Sequence, residues 1–126
     1  MILEGRAIYS GRAEGPALVS RAPMSFYGGL DPNTGEVKEV GHELRGASVR
    51  GKVLVFPSGK GSTVGSYVLY RMKKNGVAPC AIVNESCETI VAVGAIISEI
   101  PCVDSVDISG IRTGATVRVD GPKVAW

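Results

Sequence analysis

A serine at the start of a helical pattern, behind two glycines and a lysine, is the strongest chemical signal in this chain. Gly59-Lys60-Gly61-Ser62-Thr63 follows the apolar run Lys52-Val53-Leu54-Val55-Phe56 and Pro57. A helix N-terminus carries partial positive charge and unpaired N–H donors, so it can stabilise a bound anion or an alkoxide on Ser62, and Lys60 adds to that field. The plainer reading is that Ser62 or Thr63 only caps the helix, accepting a bond from a first-turn N–H. A phosphate-cradling nucleotide loop is excluded. Leu54 stands where that motif needs its first glycine, and Gly61 separates Lys60 from the hydroxyl.

Other reactive side chains are few. A Ser-His-Asp triad or a histidine metal site would have to be built on His42, the only histidine, and in Gly41-His42-Glu43-Leu44 a structural role is the simpler one. Arg45 and Arg112 each lie in a glycine-rich segment near a turn and are lesser candidates for holding the same anion as Lys60. Cys80, Cys87 and Cys102 form an odd set without a C-x-x-C pair. They read as buried free thiols of a reducing compartment rather than as metal ligands, so no metal site is expected in this chain.

The elements that must position these residues follow from periodicity. Ile2 to Ile8 and Ala17 to Ser20 flank Gly11, Arg12 and Gly15 and predict an N-terminal β-hairpin or meander. Residues 23–35 are dense in turn formers and predict a long loop, whose Phe26, Tyr27 and Leu30 would offer an interface to another subunit. Lys52 to Phe56 reads as a buried strand. From Thr63 to Asn75, Val64, Tyr67, Val68 and Met72 recur at helical spacing, with Lys73 and Lys74 in the last turn and Gly76 as the stop. Ala81-Ile82-Val83 reads as a second buried strand, and Glu88 to Ile100, apolar nearly throughout, is assigned to helix by its length. Pro101 ends it and Cys102-Val103 opens a further strand. Thr116 to Val119 and Lys123 to Trp126 flank Asp120-Gly121, a hairpin signal. The fold class is α/β: antiparallel N-terminal strands, a parallel βαβ portion and a C-terminal hairpin, in one domain spanning residues 1–126.

Composition narrows the function classes. Hydrophobic residues make up 44% and charged residues 21%, the balance of a folded globular chain. The 14 basic and 12 acidic residues are scattered rather than gathered into a stripe, which argues against a nucleic-acid partner. Charge interrupts the opening MILEGRAIYSGRAEG within a few residues, so neither a signal peptide nor a membrane anchor is expected, and the location expected is cytoplasmic.

Three ordered motifs resemble the small, swivelling subunit of the aconitase X family: Ser25-Phe26-Tyr27-Gly28-Gly29-Leu30-Asp31-Pro32, His42-Glu43-Leu44-Arg45-Gly46 and Gly59-Lys60-Gly61-Ser62-Thr63. The likeness runs over nearly the whole chain. It implies a swivelling β/β/α domain that closes over a large subunit, and a hydro-lyase active only when both chains are present. Ser62 would be the proton-abstracting base, with Lys60, Gly61, Thr63 and Arg45 binding substrate. The iron-sulfur cluster, of the 4Fe-4S kind, would sit on the large subunit, where iron acts as Lewis acid on the departing hydroxyl. The substrate implied is a small phosphorylated hydroxy acid: the archaeal branch of the family dehydrates mevalonate 5-phosphate to trans-anhydromevalonate 5-phosphate in isoprenoid biosynthesis. Two departures from the family pattern stand out. Lys60 occupies a position where Arg is expected, and Glu43 one where Pro often follows the histidine.

Alternative readings remain open at this level. Related two-chain enzymes dehydrate hydroxyproline. A phosphohistidine carrier would need a histidine at the head of the helix over residues 88–100, which has none. In a non-catalytic binding module, Ser62 would be a cap and nothing more.

Overall fold

The computed structural model describes residues 1–60 and 64–126. Eight strands form one sheet: β1 (Ile2–Glu4), β2 (Arg6–Tyr9), β3 (Arg12–Val19), β4 (Val53–Phe56), β5 (Ala81–Asn84), β6 (Cys102–Asp104), β7 (Thr116–Asp120) and β8 (Lys123–Ala125), in the order β1-β8-β7-β3-β4-β5-β6-β2. β3, β4, β5 and β6 run parallel to their neighbours, whereas the β3-β7, β7-β8, β1-β8 and β2-β6 pairs are antiparallel. The two outermost strands of that order, β1 and β2, are joined through Gly5 alone. Gly5 donates to Pro122 O on the β8 side, and any Cβ there would run into Asp104 O on the β6 side. The sheet is therefore drawn into a nearly closed, barrel-like shape, with its two edge strands adjoining at Gly5 without pairing to each other.

The expected N-terminal hairpin is replaced by this closure. β1 pairs with β8, β2 with β6, and β3 with β7 and β4, so the first three strands do not pair with one another. Apolar alternation reports strands, but it does not say which strands will be partners. The C-terminal hairpin forms as expected, with Asp120 opposite Lys123 and Gly121 at φ 57° in the turn.

Alternation along the parallel strands serves two cores. Leu18, Leu54, Phe56, Ile82 and Cys102 face the helices together with Met24, Phe26 and Leu30. Ala17, Val19, Val53, Val55, Ala81, Val83 and Val103 face the other way, toward Val117, Val119 and Val124. This is why β4 and β5 read as unbroken apolar runs: both faces of each are buried.

Two helices, α1 (Gly65–Lys74) and α2 (Thr89–Ser98), cover one face. α1 ends in a Schellman motif, in which the Gly76 N–H bonds Lys73 O, the Val77 N–H bonds Met72 O, and Gly76 adopts φ 73°. α2 pairs closely with α1. Ser66 Oγ donates to Ile90 O at 2.5 Å, and a Cβ on Gly94 would come within 3.2 Å of Ser66 Cα. That close approach explains a glycine inside a helix, where it otherwise costs about 1 kcal/mol relative to alanine. Among the described residues no helix is long and apolar enough to cross a membrane.

Candidate functional site at the carboxyl edge of the parallel strands

Ligand sites of parallel α/β sheets gather where strands end and helices begin. Here Val19, Phe56, Asn84 and Asp104 are the carboxyl ends of β3, β4, β5 and β6, with Ser20 just past the first. The turn leaving β4 is fixed from both sides. Toward β3, the Met24 N–H donates to Ser58 O at 3.1 Å and the Lys60 N–H to Met24 O at 2.9 Å. Toward β5, the N–H groups of Glu85 and Ser86 both donate to Pro57 O, and Asn84 Nδ2 donates to Phe56 O at 2.9 Å. Lys60 is thereby delivered to a crevice that it lines with Met24, Phe26, Gly65, Glu88, Ile90 and Val91.

Both helices begin at this crevice. Glu88 caps α2, its two carboxylate oxygens accepting from the N–H groups of Ile90 at 2.9 Å and Val91 at 3.3 Å. Gly59 passes so close to that cap that a Cβ would stand 2.5 Å from Val91 Cγ2 and 3.1 Å from Glu88 Oε2. The glycine before Lys60 is required by packing, independently of any ligand.

Lys60 Nζ is paired with Glu39 Oε2 at 2.9 Å, and Glu39 Oε1 accepts from the Ser25 N–H at 3.3 Å. Burial alone would raise the Glu39 carboxyl. The hydrogen bond from Lys60, the Ser25 N–H and the nearby positive charge outweigh it and hold the group below the usual carboxylate range. Three segments, the 23–35 loop, the stretch before His42 and the turn after β4, are thus locked at one point.

His42 belongs to a second, adjoining network. Its Nδ1 accepts from the Leu44 N–H at 3.0 Å, so in the neutral ring the proton sits on Nε2, which faces Ser20 Oγ at 3.3 Å. Glu43 Oε1 accepts from the N–H groups of Arg21 at 2.7 Å and Ala22 at 3.1 Å and from Ser20 Oγ at 3.1 Å. Burial would raise Glu43, but these donors leave it below its ordinary value. Arg21 in turn donates to Ile108 O and Ile111 O, at 2.8 and 2.7 Å, beside a 3₁₀ turn at Ile108–Gly110. His42 and Glu43 therefore clamp the chain leaving β3 through Ser20 and the Arg21 and Ala22 N–H groups.

Of the residues singled out by sequence, Lys60 lies in the crevice, while Gly61, Ser62 and Thr63 fall outside the described residues. The expected hydroxyl cap on α1 needs correction: α1 begins at Gly65 and its N-cap position is Val64, not Ser62 or Thr63. Arg45 sits exposed on the turn beginning at His42, its N–H bonded to His42 O, and Arg112 is exposed just beyond the 3₁₀ turn. The interface expected of Phe26, Tyr27 and Leu30 needs correction. Phe26 and Leu30 are 4% and 3% exposed, with the Phe26 ring 5.9 Å from that of Phe56, and Tyr27 alone, at 57%, faces outward. The core beneath the loop claims the two apolar side chains. Glu39 and Glu88 were not legible as site residues: neither lies in a motif, and glutamate is not a favoured N-cap.

The described residues do not fit an iron-sulfur cluster. Cys87 and Cys102 lie together on the helix side, Cys80 packs on the other core, and no three His, Cys, Asp or Glu among the described residues could hold a metal ion.

Residues 2–125 match the family model described as the aconitase X swivel domain. The phosphomevalonate dehydratase small subunit of Thermococcus sibiricus is 59% identical over 98% of this chain and 95% of its own length. That of Thermococcus kodakarensis is 60% identical over 95% of this chain and 90% of its own length. The crystal structure of Thermococcus kodakaraensis aconitase X in its holo form superposes with a TM-score of 0.97 at 57% identity, covering 98% of this chain and 96% of that one. The strand-turn-helix edge that carries Lys60 is therefore that of an aconitase-type swivelling domain, and the chain belongs to the aconitase X family.

Proposed function

We propose that this chain is the small subunit of a phosphomevalonate dehydratase, a hydro-lyase that works with a large subunit on mevalonate 5-phosphate and yields trans-anhydromevalonate 5-phosphate in the mevalonate pathway. The observation that carries this reading is the near full-length identity of 59% to a relative bearing that name. An aconitase-type family points to an iron-sulfur cluster in the working assembly, and we assign it to the large subunit. The assembly is cytoplasmic and needs neither nucleic acid nor membrane.

Within this reading Ser62 takes the proton beside the substrate carboxylate, and Lys60, Gly61, Thr63 and Arg45 hold the anionic substrate. Lys60 at the edge where α1 begins supports that division, because a helix N-terminus and a lysine together favour anions. A serine hydroxyl is a weak base in water, so its alkoxide needs such a field.

Co-expression with the large subunit, followed by size-exclusion chromatography and a dehydration assay, tests the assignment. A single co-eluting complex that dehydrates mevalonate 5-phosphate is expected, with neither chain active alone. Ser62→Ala in that complex should lower turnover by roughly a hundredfold to ten-thousandfold. Its loss of stability should not exceed about 1 kcal/mol. A destabilised variant that keeps its turnover would reduce Ser62 to a structural role.

A further inference from the structure

Cys87, in the turn between β5 and α2, and Cys102, at the start of β6, bring their sulfurs to 3.8 Å. The contact is enforced from the backbone. The Cys87 N–H donates to Asp104 Oδ2 at 2.9 Å, and the buried Asp104 carboxylate is itself gripped by Arg6 through Nε and Nη2 at 3.0 and 2.9 Å. Cys102 is fully buried and Cys87 half-buried, so one sulfur can meet a reagent while the other waits behind it. We propose that Cys87 and Cys102 form a reversible thiol-disulfide site, oxidised by low-molecular-weight disulfides of the glutathione type.

The two thiols are electronically unequal in the sense this chemistry needs. The hydrogen bond from the Cys102 thiol, aided by Arg6, draws Cys87 below its ordinary value despite burial and the charges of Asp104 and Glu88. That bond, together with burial, pushes Cys102 up. The Cys87 thiolate attacks one sulfur of glutathione disulfide, forming a mixed disulfide and expelling one glutathione thiolate. Cys87 no longer accepts the Cys102 proton, which passes to the expelled thiolate. The Cys102 sulfur then attacks the Cys87 sulfur, the protein disulfide forms, and the second glutathione leaves. Two protein thiols lose two electrons and two protons, and one glutathione disulfide becomes two glutathione thiols. Forming the bond closes the two sulfurs from 3.8 Å to about 2 Å. The bond would tie the turn that carries the Glu88 cap to β6, beside the crevice of Lys60.

The test is made on the full chain, independently of any dehydratase activity. The reduced protein is incubated with glutathione disulfide, unfolded, alkylated, and read by intact mass and peptide mapping. Two of the three cysteines should resist alkylation and appear as one Cys87–Cys102 cross-linked peptide pair, with Cys80 alkylated and excess thiol reversing the change. Cys102→Ser, or Cys102→Ala if serine disturbs the core, should stop at a mixed disulfide on Cys87. Full alkylation of wild type after oxidant, a cross-link to Cys80, or a mixed disulfide on Cys87 persisting in wild type would overturn the proposal.

Discussion

Lys60 Nζ stands 2.9 Å from Glu39 Oε2, and the other oxygen of Glu39 holds the Ser25 N–H. The one cation among the described residues lining the crevice is therefore aimed by a carboxylate on a different segment. Lys60 is half exposed, so the pair contributes no more than about 1 kcal/mol to stability. Its value lies in orientation. Lys60→Ala in the reconstituted complex should raise KM for the anionic substrate by roughly tenfold or more while the melting temperature barely moves. Steady-state kinetics beside a thermal melt check this, and an unchanged KM removes Lys60 from substrate binding.

Gly59→Ala should be costly for a reason unrelated to flexibility. The added methyl would press on Val91 Cγ2 at 2.5 Å, a short branched side chain with little room to turn. A loss of about 1 to 3 kcal/mol is expected in denaturant unfolding, with lower turnover because Lys60 shifts. The double variant Gly59→Ala with Val91→Ala should recover part of both. Absence of any recovery would show that the contact is not the cause.

His42→Ala should damage stability more than chemistry. It removes one of several partners of the buried Ser20 Oγ and leaves the Leu44 N–H without its side-chain acceptor, a loss of about 1 to 3 kcal/mol. Turnover of the folded complex should fall less than tenfold. A loss of a thousandfold with unchanged unfolding would make His42 a catalytic group instead.

Acid should unfold the chain through three carboxylates. Glu39, Glu43 and Asp104 are all held below their ordinary values, against burial, by hydrogen-bond donors and, for Asp104, by Arg6. Their folded values lie below the unfolded ones, so the unfolded chain binds more protons as pH falls. The stability they contribute is complete above the ordinary carboxylate values of about 4 and is lost as pH drops through the lower, folded ones. The melting temperature should be level from neutrality to about pH 5 and fall below about pH 4, less steeply in Asp104→Asn, whose melting temperature at neutral pH is already reduced. A melting temperature unchanged down to about pH 3 would contradict the assignment.

Local pattern was enough for much of this molecule. The apolar runs over 53–56 and 81–83, the helical spacing that ends at Gly76, the apolar stretch after Glu88 and the Asp120-Gly121 turn each determine a nearby element, because strand, helix and turn preferences act within a few residues. The motifs of residues 25–32, 42–46 and 59–63 were likewise legible as a family pattern. Tertiary structure decided the rest. Backbone bonds from Gly5 to Pro122 beside β8 and from β2 to β6 drew the sheet nearly closed in place of an N-terminal hairpin, and the space beneath the loop drew Phe26 and Leu30 inward while Tyr27 stayed out. The pairing of Lys60 with Glu39, the Ser20-His42-Glu43 clamp and the meeting of Cys87 with Cys102 join segments distant in sequence. Contacts of that kind leave no periodic mark, since they arise from where the strands deliver their ends.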